Sequence, residues 1–192
     1  MSGISFSTPL ILPLLAGHKS QTRRILTLRG YREFSQFGPS DTPGYDWHFR
    51  RADGCWCDFR AADLPLPYAI GDRLNVKEGI ERGELGEIVY RADGQSVPGS
   101  EWAWKPRTLP HRYMPKGLAR IWLTVTDVRI ERLQAITFAD MLAEGVRRAA
   151  GDLPGDAWRQ LWDGLHDKDG ERWADDPWLV ALTFTVERNP DV

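Results

Sequence analysis

In the stretch LLAGHKSQTRR, Leu14 to Arg24, an amine and a hydroxyl stand three residues apart as Lys19 and Thr22, and Arg23 and Arg24 follow at once. A threonine hydroxyl is inert until a base takes its proton, and a lysine can act as that base only if its pKa falls toward neutrality. Partial burial and neighbouring cations both push a lysine amine that way. The spacing therefore admits a base–nucleophile pair. It equally admits a local grip on a phosphate or carboxylate. A third reading is a basic turn that does no more than meet the negative end of a helix dipole.

Two acids also stand out. Glu144 ends the segment TFADMLAEG, just before Gly145, where a carboxylate faces the unfavourable end of the helix dipole. Another interaction is expected to hold it there. Glu78, in NVKEG, stands beside Lys77 and reads as half of a surface ion pair. Trp102, Trp104 and Tyr113 lie in a proline-punctuated loop. Such aromatics pack a core, anchor their own loop, or stack on a base. Cys55, Cys57 and His48 lack an evident fourth ligand, so no metal centre is expected.

The elements that must position these residues are short. ISFS reads as a strand, and Ser7 or Thr8 can cap a helix with Pro9 in its first turn. That helix ends at Gly17 and carries Pro13, which should kink it. TRRILTL, Thr22 to Leu28, reads as a strand, as do the segments through Leu74 and Val76 and through GEIVY. ARIWLTVTDVRIERL is the strongest strand signal. Ile121, Leu123 and Val125 share one face there, and a bulge is expected to shift the register beyond them. Thr137 and Asp140 have capping-box spacing before a short helix that stops at Gly145. GDAWRQLWDGLHDKDG places Trp158, Leu161, Trp162 and Leu165 on one helical face. PWLVALTFTVE closes the chain as a strand. Residues 29–66 fit the pattern less well, apart from a hairpin turning at Ala52-Asp53-Gly54. They read as an insertion or lid within a single domain spanning 1–192.

The bulk properties agree. In 192 residues, 42% are hydrophobic and 27% charged, enough to build a core and too apolar for a disordered chain. A formal net charge of -2 argues against a global grip on nucleic acid, so any anion site must be local. The two cysteines, spaced C-x-C, suit a reducing, cytoplasmic setting, and no apolar run is long enough to span a membrane. The resulting expectation is an α+β fold, a small and mostly antiparallel β-barrel flanked by short helices, with an inserted loop and hairpin region.

Four segments in order, AGHKSQTRR, YAIGDRLNVKE, RIWLTVTDVRIERLQAITFADMLAEGV and WLVALTFTVE, resemble the ASCH domains of the PUA-like superfamily. The resemblance is strongest to the phage-associated type, which runs Leu-Leu-Ala-Gly-x-Lys-x-x-Thr-Arg-Arg near its start. It covers most of residues 4–28, 67–146 and 157–187 and leaves 29–66 unmatched. It implies a PUA-like barrel with a cleft for a nucleotide or nucleic acid. Some members are amidohydrolases of N4-acetylcytidine, and others have been described as ribonucleases or RNA binders. In the small amidohydrolases the catalytic set maps onto Lys19, Thr22 and Glu144, with Arg24 matching the motif arginine. The implied function is cleavage of the acyl amide on N4 of an acylated cytosine nucleoside, with no metal or organic cofactor. Arg23, Arg24, Glu78 and Trp104 are the expected substrate-binding residues. The alternatives are a non-catalytic RNA or modified-nucleotide reader, using Lys19, Arg23 and Arg24 on phosphate, and a metal-independent ribonuclease.

Overall fold

A computed structural model describes residues 3–146 and 154–189. The long sequence signal at Ala119–Leu133 becomes β10 (Ile121–Arg132), and the last one becomes β11 (Trp178–Arg188), which pair antiparallel. Around them forms a five-stranded sheet in the order β1-β6-β10-β11-β2, with β1 (Gly3–Ser5), β6 (Arg73–Lys77) and β2 (Gln21–Ile25). Only the β1–β6 pairing in this sheet is parallel. The order runs between two edges, β1 and β2, so this sheet is open rather than closed on itself. The fold is α+β with strands predominant.

The expected bulge in β10 is present between Val125 and Asp127. Its consequence is a change of face. Before it, Ile121, Leu123 and Val125 point into the main core. After it, Asp127, Arg129 and Glu131 pair with Thr183, Ala181 and Leu179, while Val128 and Ile130 pair with Leu182 and Val180. Because side chains alternate along a strand, one extra residue exchanges the two sets. Without it, three charged residues would enter the apolar layer.

That main core joins Ile11 and Leu14 of α1 (Thr8–Leu15) to Leu74, Val76, Leu123, Val180, Leu182 and Phe184. On the other face of β11, Leu179 packs with Leu133, Ile136, Trp158 and Trp162. The last two come from α3 (Pro154–Leu165), whose predicted apolar face is thus the one it buries. Central strand β11 is covered on both faces, which explains its nearly unbroken apolar run WLVAL.

Residues 29–66 carry a sheet of their own. They form an antiparallel sheet of β3 (Phe34–Pro39), β4 (Trp47–Arg51) and β5 (Trp56–Phe59), with β3 unforeseen and the β4–β5 turn where the sequence placed it. Phe37 and Phe49 are buried in the main core, and Phe37 and Trp47 meet Trp178 edge-on, each with ring centroids 5.5 Å apart. Cys55 precedes β5 and is exposed, whereas Cys57 lies within it and is half-buried. A third sheet, in the order β8-β7-β9, unites β7 (Ile80–Arg82), β8 (Ile88–Tyr90) and β9 (Thr108–Leu109). No helix among the described residues is long and apolar enough to cross a membrane.

Candidate functional site

Helix α1 begins after Ser7 with Pro9 in its first turn and ends before Gly17, at φ 70°. The carbonyl of Pro13, inside it, accepts from the backbone N–H groups of both His18 and Lys19, at 2.9 and 3.2 Å. This wraps the chain tightly around the helix end and turns Lys19 inward. The next residue ties the turn to a second helix end: Ser20 N–H donates to Ala143 O at 2.8 Å.

Ala143 ends α2 (Phe138–Ala143). Thr137 caps this helix through the predicted box with Asp140, and Glu144 is its C-cap residue. Gly145 follows at φ 82°, and a Cβ there would meet Pro13 Cβ at 2.7 Å and Lys19 Cβ at 3.2 Å. Glycine thus serves twice at this position, taking a left-handed conformation and letting the two helix ends meet.

The outcome is a buried charge cluster. Lys19, Thr22, Arg23 and Glu144 are only 1%, 2%, 2% and 3% exposed. Lys19 Nζ donates to Glu144 Oε2 at 2.5 Å and to the Glu144 main-chain carbonyl at 2.9 Å. The other carboxylate oxygen, Oε1, accepts from Arg23 Nη1 at 3.2 Å. Two cations therefore hold Glu144 at a helix terminus whose dipole disfavours it. The lysine carbonyl contact also uses one of the orphan carbonyls of the last turn.

Arg23 sits among three acids. Its Nε donates to Glu131 Oε1 at 2.7 Å, and its Nη2 lies 2.7 Å from the same oxygen and 3.4 Å from Asp140 Oδ2. Arg129 reaches Asp140 from the far side at 3.1 Å. Register explains the meeting, since Arg129 pairs with Ala181 and Ala181 with Arg23. The small methyl of Ala181 lies between two long cationic side chains on the same face. Sequence reading found Asp140 only as a cap and passed over Glu131 and Arg129. The signal that finds them is the bulge, which moves the odd-numbered residues of β10 to this face.

Burial is the main influence on the Lys19 amine and lowers its pKa. Glu144 opposes this by charge and hydrogen bond, and Arg24 and Arg23 reinforce it. Asp140 is likewise opposed by burial, yet hydrogen bonds from Thr137 and Arg129 and the charge of Arg23 hold its carboxyl far below the usual range.

Thr22 and Glu144 line one small cavity, of about 20 Å³. It lies at edge strand β2, so Arg23 and Arg24 reach it from opposite strand faces. Leu10 of α1 borders it, and α3 roofs it with Trp158, Leu161, Trp162 and Leu165. That volume suits a single water molecule. Arg24 donates to Ser5 O at 2.6 Å and lies over the Phe6 ring at 4.8 Å, so its charge is half-buried beside the cavity.

Two expected residues lie elsewhere. Glu78 is not half of a surface pair with Lys77. It is buried, and it accepts from Arg120 Nε and Nη2, both at 2.8 Å. Arg120 also binds Asp93 at 2.7 Å and covers the Tyr90 ring at 3.9 Å, forming a separate cluster between β6 and β8. Trp104 packs edge-on to Trp102, centroids 4.9 Å apart, on the third sheet and away from the Thr22 cavity. Among the described residues, no group of three His, Cys, Asp or Glu side chains is arranged to hold a metal ion.

No family model, no curated protein and no solved structure matches this chain.

Proposed function

We propose that the chain is an amidohydrolase that cleaves the acyl amide on N4 of an acylated cytosine nucleoside, in the manner of the ASCH domains its motifs resemble. The observation that supports it most is the shared cavity. Thr22 and Glu144 face one space, and behind them Lys19 is buried with a lowered pKa. Lys19 in its free-amine form takes the Thr22 proton, and Oγ1 attacks the acyl carbonyl. Glu144 carries the proton to the departing amine and then assists the water that releases the acid. Arg24, half-buried beside Thr22, offers a positive charge to the oxyanion.

A second reading of the same chemistry has specific support. The cavity is water-sized, and the Lys19 amine donates to Glu144, at its carbonyl and its carboxylate. In this version Glu144 activates a water directly and Thr22 positions the substrate. Either version requires α3 to yield, because a nucleoside exceeds the volume beneath it. A phosphate grip by Lys19 and Arg23 is disfavoured, since carboxylates already hold both cations.

The test is conversion of N4-acetylcytidine to cytidine by the purified protein, followed by the ultraviolet shift, beside Lys19→Met and Thr22→Val with folding checked by circular dichroism. Loss of turnover in both folded variants supports the reading. Absence of turnover by the unaltered protein with acetyl and longer acyl groups overturns it. Mass spectrometry of acid-quenched enzyme separates the two versions: an acyl adduct on Thr22 supports the first and its absence during turnover the second.

A further inference from the structure

The roof of the Thr22 cavity holds an unused donor. Trp158 of α3 is 3% exposed, and its indole N–H has no hydrogen-bond partner among the described residues. An indole nitrogen only donates, and a buried donor is nearly always paired. Trp162, one helical turn further on, shows the ordinary case: its Nε1 donates to Glu171 O at 2.7 Å. Trp178 also buries an unpaired Nε1, but it borders a wide, open groove of about 560 Å³. Trp158 instead borders a space of about 20 Å³, enough for one oxygen atom.

The cations around that space are already engaged. Lys19 and Arg23 hold the two carboxylate oxygens of Glu144. Arg23 also meets Glu131 and Asp140, and Arg24 donates to Ser5 O. The neutral indole N–H is the donor there that no described protein atom engages.

We propose that Trp158 is a further catalytic residue, whose indole N–H donates to the acyl oxygen of the substrate as that oxygen takes up negative charge. This assignment rests on the hydrolase reading and serves both of its versions. Thr22 Oγ1, or a water, adds to the acyl carbon, and the carbonyl π pair moves onto oxygen. The oxyanion occupies the atom-sized space, accepting from Trp158 with the Arg24 charge beside it. When the pair returns, the C–N bond breaks and N4 leaves with the proton that Glu144 carries. A neutral donor suits this place, because another cation would be drawn to Glu144 instead. Depth fits as well. Trp158 and Trp162 are buried with Leu133, Ile136 and Leu179, whereas Leu165 at the end of α3 is 46% exposed. The outer turn of α3 can yield to a nucleoside while the indole keeps its place.

The experiment replaces Trp158 in the full chain by 3-benzothienylalanine, through amber suppression, and separately makes Trp158→Phe. The first keeps the shape of the indole and puts sulfur where the N–H was. Both are assayed for kcat and KM with N4-acetylcytidine and unfolded in urea. In each, kcat should fall about 100- to 1,000-fold, the usual effect of losing one oxyanion donor, with KM within about two-fold, since the contact matures in the transition state. The benzothienyl protein should unfold no earlier than the unaltered one, because the lost donor had no partner. Full kcat in the benzothienyl protein, or a raised KM at unchanged kcat, overturns the assignment and leaves the hydrolase reading standing. A fall in kcat matched by an earlier unfolding midpoint in both variants assigns Trp158 to packing and also overturns it. Absence of turnover by the unaltered protein removes the hydrolase reading and this assignment with it.

Discussion

Lys19 Nζ lies 2.5 Å from Glu144 Oε2 and 2.9 Å from the main-chain oxygen of the same residue, across 125 positions of sequence. One amine thus secures both the side chain and the backbone of a helix end, and Arg23 completes the neutralisation of the carboxylate. Such a cluster is stable only while complete, because each charge has left water and depends on the others.

Removal of both partners should therefore cost less than the sum of removing each alone. Glu144→Gln leaves Lys19 and Arg23 without this carboxylate and is expected to lower stability by about 3–5 kcal/mol. Lys19→Met should cost a comparable amount. The double variant should fall short of the sum by roughly 0.5–3 kcal/mol, the usual coupling of contacting groups. Urea unfolding of the four proteins measures it, and simple additivity would show that the two residues do not act as a unit.

Gly145→Ala tests the approach of the two helix ends. The new methyl meets Pro13 Cβ, and the backbone at φ 82° disfavours any side chain. An expected loss of about 1–3 kcal/mol follows from the strain alone. Gly17→Ala is the control, with a similar φ of 70° and nothing within 4 Å of the added carbon. Its loss should be the smaller of the two in thermal unfolding.

The hydrolase reading carries a pH signature. A base must be deprotonated, so the rate should rise with pH through the Lys19 pKa, and that limb should lie below the ordinary lysine value of 10.5. Arg24 helps hold the amine down, so Arg24→Gln should move the limb to higher pH. The profile of kcat/KM against pH reads this directly. A limb that stays in place would remove Lys19 from the role of base.

The buried Glu78–Arg120 pair should matter for stability and not for the chemistry at Thr22. Burial pushes the Glu78 carboxyl up, while hydrogen bonds and charge from Arg120 pull it back. Arg120→Met leaves that carboxylate buried without its partner and should cost about 3–5 kcal/mol. Glu78→Gln/Arg120→Met should recover part of the loss. Chemical denaturation is the measurement, and a near-neutral Arg120→Met would contradict the account.

How much of this was legible beforehand differs by element. The capping box at Thr137 and Asp140, the stops at Gly17 and Gly145, the α3 apolar face and the β10 bulge were readable because each is a local pattern of a few residues. The odd position of Glu144 at a helix end carried the expectation that another interaction holds it, and the structure supplies Lys19 and Arg23. The third strand of the 29–66 sheet was not readable. Its Gln36 takes a φ of 52° and its register breaks between Ser35 and Gly38, so period-two alternation is lost.

The sequence by itself determined much of the local vocabulary: the long strands β10 and β11, the caps and stops of the short helices, and which residues have reactive side chains. Tertiary structure alone decided their partners. It paired Glu78 with Arg120 instead of Lys77, surrounded Arg23 with Glu131, Asp140 and Glu144, and brought α3 over the cavity at Thr22. The reason is that caps and turns are settled by neighbours along the chain. A buried charge is settled by whichever opposite charge the sheet register delivers to the same face, and here one bulge in β10 and the order of five strands set that register.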